Sequence, residues 1–233
     1  MNNMLATLTE CLPQLGLALP EPALQTLCQF AEGVIRQNEV MNLTAITEPE
    51  QVARLHLLDS LSLLAVADLK NKRIIDVGCG AGFPGVPVKI ACPEVELTLL
   101  DSLGKRMNWL SGFLPQIGVE AECVTARAEE AVTARRESYD FATSRAVARL
   151  NILLELTAPY VKVGGAVLAM KGAAAKEELT EAENAVRTLG LRIDQVREFP
   201  VEDTAHAVIV LRKVKPTPAR YPRRYAKIKQ SPL

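Results

Sequence analysis

The stretch IIDVGCGAGFPG, residues 74–85, decides how the rest of the chain is placed. Ile74, Ile75 and Val77 make an apolar, β-branched run interrupted only by Asp76, which suits a strand covered on both faces at the centre of a parallel sheet. Gly78, Gly80 and Gly82 follow at alternate positions. Residues without Cβ accept positive φ and let a ligand lie against the backbone, so a sharp turn ends the strand. Pro84 has its φ preset for a first helical turn and lacks an amide donor that would be orphaned there. The spacing therefore predicts a helix beginning near Phe83 to Gly85.

Two ligand classes use such a strand, glycine loop and helix. Dinucleotide folds have Gly-x-Gly-x-x-Gly, with the third glycine inside the helix. Here the third glycine comes one residue early, and Asp76 precedes the first by two. This Asp-x-Gly-x-Gly-x-Gly form resembles the first motif of the S-adenosylmethionine-dependent methyltransferases. A second strand, ELTLLD at 96–101, closes on Asp101, at the distance where a carboxylate accepts both hydroxyls of a nucleoside ribose. NAD enzymes share that acid, so Asp101 does not separate the two classes, and a purely structural glycine turn is the bland alternative. Cys79 stands where such loops need only a small side chain and reads as a spacer rather than a nucleophile.

The 233 residues are enough for one domain with an extension, and 48% hydrophobic and 23% charged residues are ordinary for a soluble globular protein. No basic start followed by an apolar run and no stretch of bilayer length occurs, so a cytoplasmic protein with no membrane partner is expected. The five cysteines form no Cys-x-x-Cys pair, and His56 and His206 are the sole histidines, which argues against a histidine-rich metal site. A net charge of zero conceals an asymmetry. Residues 212–233 carry eight basic residues and no acid, leaving 19 basic against 27 acidic elsewhere. Basic residues interleaved with Tyr221 and Tyr225 suit phosphate contact and stacking, and a solvated tail explains the composition equally well.

Residues 1–70 read as an N-terminal helical extension, 71–214 as the sheet domain and 215–233 as a basic tail. Leu24, Leu27, Phe30 and Val34 recur near a 3.6 period; Thr47 is a helix cap; and Val52, Leu55, Leu58, Leu61 and Leu64 form a stripe that packs onto the sheet. His56 and Asp59 on that helix are either polar site residues or core groups. Beyond Arg73, strands and helices alternate. A third strand is expected at 121–128 ending at Ala128 and Glu129, a fourth at 139–146, and a fifth at 166–172 with Gly164 and Gly165 as its lead-in turn. One helix over 173–190 closed by Gly190 and a terminal hairpin follow. The expected fold is α/β and Rossmann-like, of the S-adenosylmethionine-dependent methyltransferase type. Its seven-stranded sheet is mostly parallel, with a terminal antiparallel hairpin and added N-terminal helices.

The phrases NLTAI (42–46), HLLDSL (56–61), DVGCGAGFPG (76–85), LLDSLGKR (99–106), RAE (127–129), SRA (144–146) and LAMKG (168–172) occur in this order. Together with the RYPRR tail they resemble the bacterial small-subunit (16S) rRNA guanine-N7 methyltransferases, also called the glucose-inhibited division protein B family. The likeness runs from about residue 38 to the C-terminus. It implies S-adenosylmethionine as cofactor, bound by Gly78, Gly80, Phe83, Ala128, Glu129 and Arg145 beside Asp101. It also implies 16S rRNA or the small ribosomal subunit as partner; by their charge and position, Lys105, Arg106, Lys171, Arg223 and Arg224 are the residues expected to meet it. Guanine N7 has an in-plane lone pair and attacks without losing a proton, so no dedicated general base is expected, and neither is a metal. The protein is expected to act as a monomer. Competing functions are methylation of another RNA, a protein or a small molecule, or a non-catalytic RNA-binding module.

Overall fold

A computed structural model describes residues 3–201 and 204–233. Strands β1 (Arg73–Val77), β2 (Glu96–Asp101), β3 (Glu122–Thr125), β4 (Tyr139–Arg145), β5 (Val161–Lys171), β6 (Leu191–Val201) and β7 (Thr204–Lys213) form one sheet in the order β3-β2-β1-β4-β5-β7-β6. The first five strands are parallel, and β7 lies antiparallel to both β5 and β6. This is the mixed sheet expected of the methyltransferase fold. The order reverses beside β1, which leaves a crevice at the carboxyl ends of β1 and β4 where open α/β sheets bind ligands.

Alternation along β1 sends its side chains into two separate cores. Ile74 enters a cluster with Leu99, Phe141, Leu168 and Val210, whereas Ile75 and Val77 enter one with Ala142, Val167 and Ile209. Over the first cluster pack α1 (Asn3–Cys11), α2 (Glu21–Met41), α3 (Pro49–Val52), α4 (Asp59–Leu61), α5 (Gly85–Ala91) and α6 (Gly104–Phe113). Phe30 and Leu57, wholly buried there, contribute roughly 1.5–3 kcal/mol each. The other face is covered by α7 (Ala128–Ala131), α8 (Leu150–Thr157), α9 (Ala175–Glu181), α10 (Glu183–Thr188) and α11 (Tyr225–Gln230). The N-terminal helices thus share one core with the sheet.

Several boundaries differ from expectation. Glu48, not Thr47, caps α3, its carboxylate accepting the Gln51 N–H at 2.8 Å, because an anion there also meets the positive end of the helix. Between α3 and α4 the chain widens into a π turn, Ala53–Leu58, which turns Leu55 and His56 toward the crevice. β3 stops at Thr125, so Ala128 and Glu129 open α7 instead of ending a strand. Gly164 and Gly165 lie within β5, where its pairing with β4 shifts register. A Cβ on Gly165 would lie 2.2 Å from the Asp140 carbonyl oxygen, so that glycine serves a close backbone approach rather than a turn. The helix over 173–190 is broken at Ala182 into α9 and α10.

The basic tail is packed along α8. Tyr221 and Ile228 are buried, and Arg136 donates to the carbonyl oxygens of Thr217, Pro218 and Tyr221. Lys213 is buried, giving its Nζ protons to Ala158 O, Val161 O and Thr217 Oγ1 beside Glu137, and burial lowers its pKa to about 8. Arg223 forms a forked pair with the fully buried Glu155, Nη2 to Oε2 at 2.6 Å and Nε to Oε1 at 2.8 Å. Two of the eight tail cations are therefore spent inside the fold. Arg223→Ala would strand the Glu155 carboxylate in the core and is expected to cost about 3 kcal/mol of stability; urea unfolding measures it, and Glu155→Gln in the same chain should recover part of the loss.

Candidate active site

At the carboxyl ends of β1, β4 and β5 a cavity of about 1040 Å³ opens. One end is the glycine loop. Gly78 and Gly80 adopt φ of +72° and +57°, the left-handed region, and a Cβ on Gly80 would meet nothing nearer than Arg106 Nη1 at 3.9 Å. The backbone there is bare toward the cavity. Asp101, closing β2, ties this loop to its neighbour. Its Oδ2 accepts the Gly80 N–H at 3.0 Å, its Oδ1 accepts Leu103 N–H at 2.9 Å, and Arg106 stands 3.9 Å from Oδ2. A carboxylate offers about four acceptor sites, so Asp101 keeps capacity for further donors.

A second wall, in contact with the loop at Phe83, is polar and draws on distant parts of the chain. Asp59, at the start of α4, accepts from Arg145 Nη1 on Oδ2 and pairs with His206 Nδ1 on Oδ1, both at 2.9 Å. Arg145 also donates to Leu55 O at 2.9 Å, lies 3.2 Å from His56 Nδ1 and sits 5.2 Å over the Phe83 ring. His56 Nε2 is 2.8 Å from Thr44 Oγ1. Burial first, then the Arg145 charge, lowers the His56 pKa to about 4, so the imidazole is neutral at physiological pH. The His206 pKa is raised, chiefly by its bond to Asp59.

Of the residues expected from sequence, Gly78, Gly80, Phe83, Arg106, Arg145 and Lys171 line the cavity, and Asp101 backs it. Ala128 and Glu129 do not line it. They lie beyond Asp101, whose carbonyl accepts from Ala126 N–H, and Tyr160 OH donates to Ala128 O. Lys171 is not a free cation: its Nζ donates to Ala148 O at 2.6 Å and pairs with Glu178 at 2.8 Å. Lys105 and Arg224 are exposed. Arg223 belongs to the tail core described above. Thr44, Val147 and His206 were not anticipated. Thr44 lies in the NLTAI phrase, which marked it, whereas nothing local marks His206, brought in by the terminal hairpin.

A model of the GidB family, described as rRNA small subunit methyltransferase G, matches residues 23–206. A protein named ribosomal RNA small subunit methyltransferase G from Alkaliphilus metalliredigens is 42% identical over 226 residues, spanning 94% of this chain and 95% of that one. Its namesake from Caldanaerobacter subterraneus is 44% identical over 228 residues, spanning 94% of each. The chain belongs to this family. The likeness begins well upstream of residue 38: the family model starts at residue 23, inside α2, and the relatives' 94% coverage extends beyond the family match. Among solved structures, Methanocaldococcus jannaschii TYW2 in complex with AdoMet shares the fold, with a TM-score of 0.56 at 11% identity over 68% of this chain and 76% of that one. Among the described residues no helix is long and apolar enough to cross a membrane.

Asp76 completes the site from behind. It is wholly buried; Oδ2 accepts the Gly85 N–H at 2.8 Å and Oδ1 has no partner among the described residues. Burial raises its pKa to about 7, against the opposing pull of the Gly85 bond and Arg145. A carboxyl raised on folding stabilises fully below its unfolded pKa of about 4 and loses that contribution as pH climbs through about 7. Asp76→Asn, which cannot ionise, should therefore melt several degrees above the parent at pH 8, with the gap closing toward pH 4. Melting curves of both proteins across this range check it, and the depressed His56 pKa, common to both, cancels in the difference.

Proposed function

We propose that this chain transfers the methyl group of S-adenosylmethionine to N7 of a guanine in 16S rRNA, as a cytoplasmic monomer acting on the RNA or the small subunit. The carrying observation is one cavity lined both by a glycine cradle backed by Asp101 and by a polar cluster of His56, Asp59, Arg145 and His206 that meets the loop at Phe83. Its 1040 Å³ exceeds what one nucleoside-sized ligand fills.

The residues fit the cofactor. Gly80, at positive φ, keeps the cavity side of the loop bare, and Asp101 has acceptor capacity for ribose hydroxyls. When bound, S-adenosylmethionine supplies an electrophilic methyl on a sulfonium. Gly78, Gly80 and Phe83 would hold its body, whereas Ala128 and Glu129 stand outside the cavity lining, beyond Asp101, and would serve only a part of the cofactor that extends past that carboxylate. The wall of Thr44, His56 and Arg145 faces the acceptor base. N7 attacks with a lone pair and loses no proton, so the neutral His56 acts by hydrogen bonding and is not needed as a base. Apolar Leu43, Ile46, Val147 and Met170 also line the cavity and would help to keep the reactants in one orientation. Lys105 and Arg224, both exposed, remain as RNA contacts, because Lys171, Arg223 and, more loosely, Arg106 face carboxylates of the fold.

Asp101→Ala should weaken S-adenosylmethionine binding ~10- to 150-fold by calorimetry, the range for losing bonds to a charged group worth about 1.5–3 kcal/mol. The acceptor is tested by mass spectrometry of 16S rRNA from cells with and without the protein. A single guanine that loses its N7-methyl mark is the expected result, and a methyl lost instead from another RNA or a small molecule would reassign the substrate.

A further inference from the structure

The charged side chains of the cavity are matched in pairs. Lys171 faces Glu178 at 2.8 Å, Arg106 faces Asp101 at 3.9 Å, and Arg145 faces Asp59 at 2.9 Å. Asp59 is 5% exposed at its side chain and also holds His206, so it spans α4, β4 and β7. Neither helix packing nor capping requires a carboxylate there: among the described residues the Asp59 oxygens accept from Arg145 and His206, at the cavity wall. A cationic ligand admitted to this cavity would meet the Arg145 guanidinium. Unmatched, that charge would repel a sulfonium at close range, and a low-dielectric wall would strengthen the repulsion.

We propose that Asp59 is the counter-charge of the site: it neutralises and aims Arg145 so that the cavity accepts a positively charged methyl donor and, after transfer, a positively charged methylated base. The inference rests on the cofactor reading above and adds a role for a residue on the N-terminal helices. The positive charge starts on sulfur and ends on the purine ring, while the sulfur becomes a neutral thioether. Asp59 is therefore a positioning residue whose effect depends on ligand charge rather than ligand shape.

That dependence gives the test. S-adenosylmethionine and S-adenosylhomocysteine differ by the methyl and its positive charge, and their affinities can be compared by calorimetry on each variant. In Asp59→Asn, close in shape but uncharged, S-adenosylmethionine should weaken roughly tenfold while S-adenosylhomocysteine stays within about twofold. Arg145→Gln should move the ratio in the opposite direction, and the doubly neutral Asp59→Asn, Arg145→Gln chain should return it close to the parent value. Equal losses for both ligands, or a double variant that fails to restore the ratio, would overturn the inference and leave Asp59 as a packing group. Should Asp59→Asn not fold, the Arg145→Gln ratio decides alone, and an unchanged ratio there rejects the idea. A parent protein that binds neither ligand would reject the cofactor reading itself, and the counter-charge with it.

Discussion

One buried carboxylate joins the parts of this molecule that have no sequence neighbourhood. Asp59 sits on the helical run before the sheet, Arg145 at the end of the fourth strand and His206 near the start of the last, and the first bonds to both of the others at 2.9 Å. Removing either partner from such a buried pair leaves an uncompensated charge, so the three segments hold one another in place. The consequence is functional. The N-terminal helices are not an appendage to a nucleotide-binding sheet; they supply one wall of the cavity, and the π turn Ala53–Leu58 aims Leu55 and His56 into it.

The sheet makes that wall possible by being buried on both sides. β1 feeds two hydrophobic clusters by strict alternation, the first closed by helices from the N-terminal half of the chain and the second by helices from the C-terminal half. The second is completed by the C-terminal tail through Tyr221 and Leu233, with the Arg223–Glu155 pair tying the tail to α8. A tail that reads as a run of positive charge is therefore part core and part surface. Lys213 and Arg223 turn inward to carbonyls and a buried acid, while Lys215, Arg220, Arg224, Lys227 and Lys229 stay exposed.

The polar groups of the site are arranged for holding rather than for moving protons. His56 is neutral because it is buried beside Arg145, and Lys171 and Arg106 each have their own carboxylate. Such an arrangement suits a reaction whose nucleophile is already a lone pair and whose electrophile is already activated. Transition-state stabilisation then comes from orientation and a fixed electrostatic environment.

The sequence by itself determined the central strand, the glycine turn, the acid at the end of β2, the alternation of strands and helices, the closing hairpin and the family. All of these depend on local chemistry: β-branched runs, residues tolerating positive φ, and spacings within a few residues. It also marked His56, Asp59 and Arg145 without saying that they meet. Only the tertiary structure decided that Asp59 and Arg145 touch, that His206 joins them from the far end of the chain, and that Lys171 and Arg223 face inward. A charged side chain looks the same in sequence whether it faces water or a buried carboxylate; its partner is chosen by packing between segments as many as 147 residues apart, and no local pattern encodes that distance.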